Sequence, residues 1–220
     1  MSILVREDFT KKMTDVKHKV LEMGALVEDT IKTTVTALTT QNLNLAKQVC
    51  ENDHVINRME IEIEKECMMI LALQHPLATD LRTIASALKI ITDLERMGDN
   101  AVNIAKVLLD IGNETFIKPL VDIPRMADIT QEMIKSSLDS FVNEDVELAE
   151  KTARMDEEVD KLYEAIFNDI LNIISENKKF IEQGTQLMFI ARYLERIADH
   201  STNICERTIY MVSGELKEIG

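Results

Sequence analysis

Apolar residues recur every third or fourth position along almost the whole chain, the spacing that puts one apolar stripe on an α-helix. Phe9, Met13, Val16, Val20, Val27, Ile31 and Leu38 mark the first stripe, and the polar run TTQNLN at 39–44 ends it. A second helix is predicted from about Leu45 to Leu73. QHP stops it: the ring of Pro76 crowds helical backbone at His75, and the same proline can open the next helix. The third helix runs from about Pro76 to Ile111, with Gly112-Asn113 as its stop. After a stretch holding two prolines, Asn113 to Pro124, the pattern starts again. A shorter fourth helix covers Pro124 to Val142. Asn143 can cap a fifth that reaches Ser175, and SENKK turns into a sixth from Phe180 to Met211.

The second set of helices copies the first. LERMGDNAVNI at 94–104 and LERIADHSTNI at 194–204 agree at six of eleven positions, at an offset of 100. Leu45-Ala46 and Asp53 match Leu148-Ala149 and Asp156 at an offset of 103, so the difference falls in the turn between the two helices of each pair. The expected fold is all-α: two tandem, similar three-helix bundles, residues 1–113 and 114–220, in one elongated domain.

The repeat carries acids inside apolar rows. In the third helix the row Leu88, Ile91, Glu95, Gly98, Val102, Ala105, Leu109 has one charged member, Glu95. In the sixth, Met188, Ala191, Glu195, Ala198, Thr202, Cys205, Ile209 has Glu195. The fifth helix carries Asp156 between Thr152 and Val159, and the second carries Asp53 between Val49 and Ile56. Each has a polar partner one turn later: Asp53 with Asn57, Glu95 with Asp99, Asp156 with Asp160, Glu195 with Asp199. Asn103 and Asn203 add an amide one turn further on. With 39 acids in 220 residues, acidic pairs at this spacing are common by chance, so the apolar setting and its fourfold recurrence carry the argument. A buried carboxylate must be paired, protonated or bound to metal. No Lys or Arg stands in these rows; Arg96 and Arg196 lie one residue on, and local pairing with Asp99 and Asp199 is the plain alternative. Oxygen-only ligand sets suit Mg, Ca, Mn or ferric iron better than Cu or structural Zn. Asn57 leaves the first bundle one acid short, which predicts the weaker hold there, with Glu60 in part compensating. Each acid with its polar partners makes a short ladder along its helix; His54 and His200 adjoin these ladders as candidate extra ligands, with a surface position the stronger expectation. Glu51 to His54 is a lone Glu-x-x-His, too little for a di-iron bundle site.

Composition narrows the class. With 45% hydrophobic residues, 6 Gly, 3 Pro and no Trp, the chain reads as helical throughout. Its formal net charge of -14 disfavours nucleic-acid backbones and unaided docking on an anionic membrane. Cys50, Cys67 and Cys205 have no motif spacing and read as reduced core thiols of a cytoplasmic protein. MSILVREDFTKK has no signal-peptide run, and no stretch is apolar enough to span a membrane. No phosphate loop, nucleophile elbow or Cys-x-x-Cys occurs, so a metal-dependent oxidase or phosphohydrolase ranks below a regulatory adaptor, with a plain helical scaffold as the third reading.

HPLATDLRTIASALKIITDLERMGDN, its partial copy YLERIADHSTNI and the late VSGE resemble the PhoU family of bacterial phosphate-transport regulators, over nearly the whole chain. The resemblance implies two similar three-helix bundles. It implies metal clusters, iron first with Zn, Mn, Mg and Ca as alternatives, on a Glu/Asp-x-x-x-Asp motif that maps to Asp53-Asn57, Glu95-Asp99, Asp156-Asp160 and Glu195-Asp199. Asn57 departs from that motif. It further implies a non-enzymatic, homodimeric negative regulator of phosphate uptake and starvation signalling. Its partners would be the ATPase subunit of the phosphate ABC transporter and a phosphate sensor histidine kinase.

Overall fold

The computed structural model describes residues 3–219, with side chains from residue 9 onward. The opening MSILVREDFTKK therefore lies partly outside the described residues. Seven α-helices follow one another: α1 (Ile3–Thr39), α2 (Leu43–Gln74), α3 (Thr79–Ile111), α4 (Asp122–Asn143), α5 (Val146–Ala153), α6 (Asp156–Glu176) and α7 (Ile181–Ser213). The described residues contain no strand. α1, α2 and α3 form one three-helix bundle; α4, the α5–α6 pair and α7 form the other.

Local chemistry sets the ends. The Asn42 side chain accepts from the N–H groups of Asn44 and Leu45, so α2 starts two residues before Leu45. α2 stops at Gln74; His75 turns left-handed (φ 47°) ahead of Pro76, and the next helix waits until Thr79, with Asp80 in its first turn. Pro76 thus lies between helices rather than opening one. Gly112 (φ 64°) ends α3. α4 opens at Asp122, with Pro124 in its first turn, and Asn143 is its last residue. The cap of the next helix is Asp145, which accepts from the N–H of Leu148.

The expected fifth helix is two. The chain tightens at Arg154 and Met155, where Met155 N–H donates to Thr152 C=O three residues back. Neither Gly nor Pro marks the break. Packing accounts for it: Ala149 and Ala153 of α5 join a small satellite cluster with Cys205 and Ile209, whereas Val159, Leu162, Ile166 and Ile170 of α6 enter the main core.

The bundles meet along α3 and α7, which run antiparallel. Arg82 Nε donates to Met211 C=O (3.1 Å), Ser86 Oγ to Arg207 C=O (3.2 Å), and Asp93 meets His200 (2.9 Å). A second seam joins α1 to α4, where Lys17 pairs with Glu144 at 2.8 Å and its ammonium lies 5.8 Å from the Phe141 ring centre. The linker between bundles is tied down by buried Gln183, which accepts from Ile117 N–H (2.6 Å) and donates to Thr115 C=O (3.1 Å). Cys67 and Cys205 are buried, Cys50 half-buried, and none is in a disulfide; burial pushes the thiols of Cys67 and Cys205 up to about 12. No described helix is long and apolar enough to cross a membrane.

Candidate functional site

The acid-bearing rows face helix seams. In the first bundle, Asp53, Asn57 and Glu60 of α2 are half-buried opposite Glu95, Asp99 and Asn103 of α3, where Glu95 and Asn103 are half-buried and Asp99 is exposed. α2 and α3 approach closely there because Gly98 has no side chain: a Cβ added to it would stand 2.8 Å from Ile56 Cδ1. In the second bundle, Asp156 is half-buried in the first turn of α6, Asp160 is exposed one turn on, Glu195 of α7 is 8% exposed, and Asp199 is exposed. Asp156, Asp160, Glu195, Arg196, Asp199 and Asn203 line one cavity of about 630 Å³, together with His200, Thr202, Glu206 and Glu218.

Hydrogen bonding leaves this pattern unsatisfied. Asp53 Oδ1, Asn57 Oδ1, Asp156 Oδ1, Glu195 Oε2 and Thr202 Oγ1 are buried without a partner. Four of those five atoms belong to the acids and partners singled out in the sequence, and Thr202 lines the same cavity as Glu195 and Asp199. Polar atoms with partners elsewhere in the protein are the norm, so their clustering here points to a missing positive group.

The electrostatics agree. Burial raises Glu95, and Asp99, Glu60 and Asp53 push it further up. Burial raises Asp99, with Asp53 adding and Lys106 opposing. Asp156 is pushed up to about 7 by burial first, then by Asp160, Asp199 and Glu195. Burial likewise raises Glu195 and Asp199, with Arg192 opposing in both. Each cluster therefore resists carrying its full negative charge.

Two side chains change the charge count that the sequence implies. Arg192, one turn before Glu195, pairs with Glu195 Oε1 and lies 5.8 Å from the Tyr163 ring centre. The rows hold no Arg, but a neighbour at i−3 reaches the acid, and that i, i+3 spacing was visible in the sequence. In the first bundle Glu60 takes a hydrogen bond from Thr92 (3.1 Å) and lies within electrostatic reach of Glu95. Glu60 thus adds an acid to the first seam and Arg192 sets a cation beside the second, while Arg96 and Lys106 oppose the first-seam acids in the same way.

The histidines part ways. His54 is exposed, its Nδ1 2.9 Å from Glu51 C=O. His200 is not a surface residue: it is 7% exposed, and its Nδ1 meets Asp93 Oδ1 across the α3–α7 seam. Asn203 donates to the same Asp93 oxygen at 3.2 Å, so its amide nitrogen is engaged in the seam as well as at the ladder's end. Asp93 lies outside every acid row and had no sequence signal, because its partner comes from the other bundle.

As placed, no three His, Cys, Asp or Glu side chains among the described residues stand close enough to hold an ion. Asp99, Asp160 and Asp199 are exposed, and such side chains change rotamer at small cost. The donor chemistry fits a hard cation: carboxylate and amide oxygens, orphaned and short of positive charge.

The PhoU domain family model matches residues 20–108 and 123–208, one stretch in each bundle. The chain is 39% identical over 213 residues to a phosphate-specific transport system accessory protein PhoU homolog of Clostridium acetobutylicum, covering 96% of this chain and 97% of that one. It is 39% identical to the corresponding homolog of Aquifex aeolicus, covering 94% and 93%. Among solved structures, the phosphate transport system regulatory protein PhoU of Streptococcus pneumoniae superposes with a TM-score of 0.90 at 32% identity, over 95% of this chain and 99% of that one. PhoU of Pseudomonas aeruginosa superposes with a TM-score of 0.90 at 36% identity, over 94% and 100%.

Proposed function

Because the chain belongs to the PhoU family, we propose that it is an accessory regulator of phosphate-specific transport whose two carboxylate seams hold metal ions. In this reading it restrains phosphate uptake and the starvation response. It does so in the cytoplasm, as a homodimer, between the ATPase subunit of the phosphate ABC transporter and a sensor histidine kinase. Likeness over nearly the full chain supports the transport role.

One observation carries the metal reading: three of the four acids that break the apolar rows, Asp53, Asp156 and Glu195, hold a buried oxygen without a partner, and so does Asn57, one turn after Asp53. Asp53, Asn57, Glu60, Glu95, Asp99 and Asn103 would hold a cation in the first seam; Asp156, Asp160, Glu195, Asp199 and Asn203 in the second. Their oxygens favour ferric iron, Mn, Mg or Ca over Zn. A bound ion supplies the positive charge that each seam lacks, tying α2 to α3 and α6 to α7. The role is structural or sensory, and no residue is assigned to catalysis.

Two measurements test it. Protein purified without chelator should contain metal; the pair Asp53→Asn with Glu95→Gln should remove part of it, and the pair Asp156→Asn with Glu195→Gln the larger share, while helicity persists. Metal-free wild type would end the metal reading. In cells, the protein should sediment with membranes only when the phosphate transporter is present; equal recovery from transporter-deleted cells would end the adaptor reading.

A further inference from the structure

The segment after α7 does not run off into solvent. Gly214, left-handed at φ 80°, ends the helix beside the Arg82 guanidinium, and Glu215 N–H donates to Ser213 Oγ at 3.0 Å. The chain then folds back along its own helix. Lys217 pairs with Glu150 of α5 at 3.2 Å. Ile219 N–H donates to Glu206 Oε1 of α7 at 2.9 Å, and Ile219 packs against the satellite cluster of Ala149, Ala153, Cys205 and Ile209. These anchors on either side bring Glu218 to the wall of the second-bundle cavity.

An acid is thereby carried onto a cavity that Asp156, Asp160, Glu195, Asp199 and Glu206 already line. Like charges repel, so this placement gains nothing from the neighbouring carboxylates. What holds it is the apolar contact of Ile219, the hydrogen bond from Ile219 N–H to Glu206 and the Lys217–Glu150 ion pair. One observation points to a ligand independently of the acids: Thr202, which lines the cavity, is more than nine-tenths buried and its Oγ1 has no partner. We propose that residues 214–219 form a strap that brings Glu218 over the second-bundle cavity as an additional oxygen ligand, closing that site on its cation. The inference rests on the metal reading above and extends it. The strap supplies an oxygen from outside the helices, and its anchor at Ile219 makes release of the ion depend on the strap lifting.

The test uses the full chain with Asp53→Asn and Glu95→Gln, so that only the second site is read, stripped with chelator and reloaded with Mn²⁺ alone. Water-proton relaxation gives the affinity, and mixing with excess EDTA gives the release rate. Losing even an outer-shell partner of a metal commonly costs roughly 10–100-fold in affinity. Glu218→Gln should therefore speed release at least about tenfold. Ile219→Ala, which loosens the anchor and keeps every carboxylate, should speed it in the same direction. Glu215→Gln removes an equal charge from the same segment, outside the cavity wall, and should stay within about twofold of the parent. Release from Glu218→Gln at the parent rate overturns the strap and leaves the metal site standing. An equal effect from Glu215→Gln also overturns it, since the effect would then be net charge rather than ligation. Failure of both the parent and wild type to take up Mn²⁺ sinks the metal reading and this inference with it.

Discussion

Replacing Asp156 by Asn should make the metal-stripped protein more stable at pH 8 and leave it nearly unchanged at pH 4. The carboxyl of Asp156 is pushed from 3.8 to about 7, by burial and by Asp160, Asp199 and Glu195. A folded-state value above the unfolded one means that the folded chain holds the proton more tightly. Stability from this group is therefore whole below about pH 4, falls as pH rises, and is fully lost above about pH 7. At about 1.36 kcal/mol per pH unit, an unscreened shift of this size would approach about 4 kcal/mol. Asp156 borders an open cavity, and water and salt there reduce the figure to about 1–2 kcal/mol. The acid also sits in the first turn of α6, where its charge gains roughly 0.3–1 kcal/mol from the helix dipole, which the variant forgoes. The net gain at pH 8 is about 1 kcal/mol, or roughly 2–4 °C in melting temperature for a chain of this size. Urea unfolding followed by circular dichroism at pH 4 and pH 8, after chelator treatment, reads the difference directly. A variant less stable than wild type at pH 8, or a difference that is the same at both pH values, refutes the reasoning. Adding Mn²⁺ at about 100 times its dissociation constant should reverse the order, because wild type then gains roughly 2.7 kcal/mol that the variant cannot fully claim.

Arg192→Gln should lower the stability of the stripped protein while tightening Mn²⁺ binding severalfold. It removes the internal cation that competes for Glu195. Calorimetric titration beside a thermal melt checks both halves, and a loss of affinity would make Arg192 a support of the site rather than its competitor. His200→Ala should cost about 1–3 kcal/mol, because Asp93 is left buried with one hydrogen bond fewer at the α3–α7 seam. A melt within error of wild type would show that the seam does not depend on the pair.

Most of this protein's helical plan was legible in its chain. The 3.6-residue recurrence of apolar positions marked five helices within a few residues of their ends, because an amphipathic helix must show its buried face in sequence. The acid rows were legible for the same reason: Glu95 and Glu195 interrupt stripes that are otherwise apolar. Tertiary structure decided what depends on a second chain segment. The break between α5 and α6 follows from two separate packing clusters, not from any local breaker residue. His200 is buried because Asp93 arrives from the other bundle, 107 residues away. Glu218 reaches the cavity because Ile219 finds a niche formed by α5 and α7. Arg192 stands between these cases: its spacing to Glu195 was on the page, but only the fold put its guanidinium on that acid rather than in solvent. Periodicity reports which face of a helix is buried; which groups meet there is set by packing between elements distant in sequence.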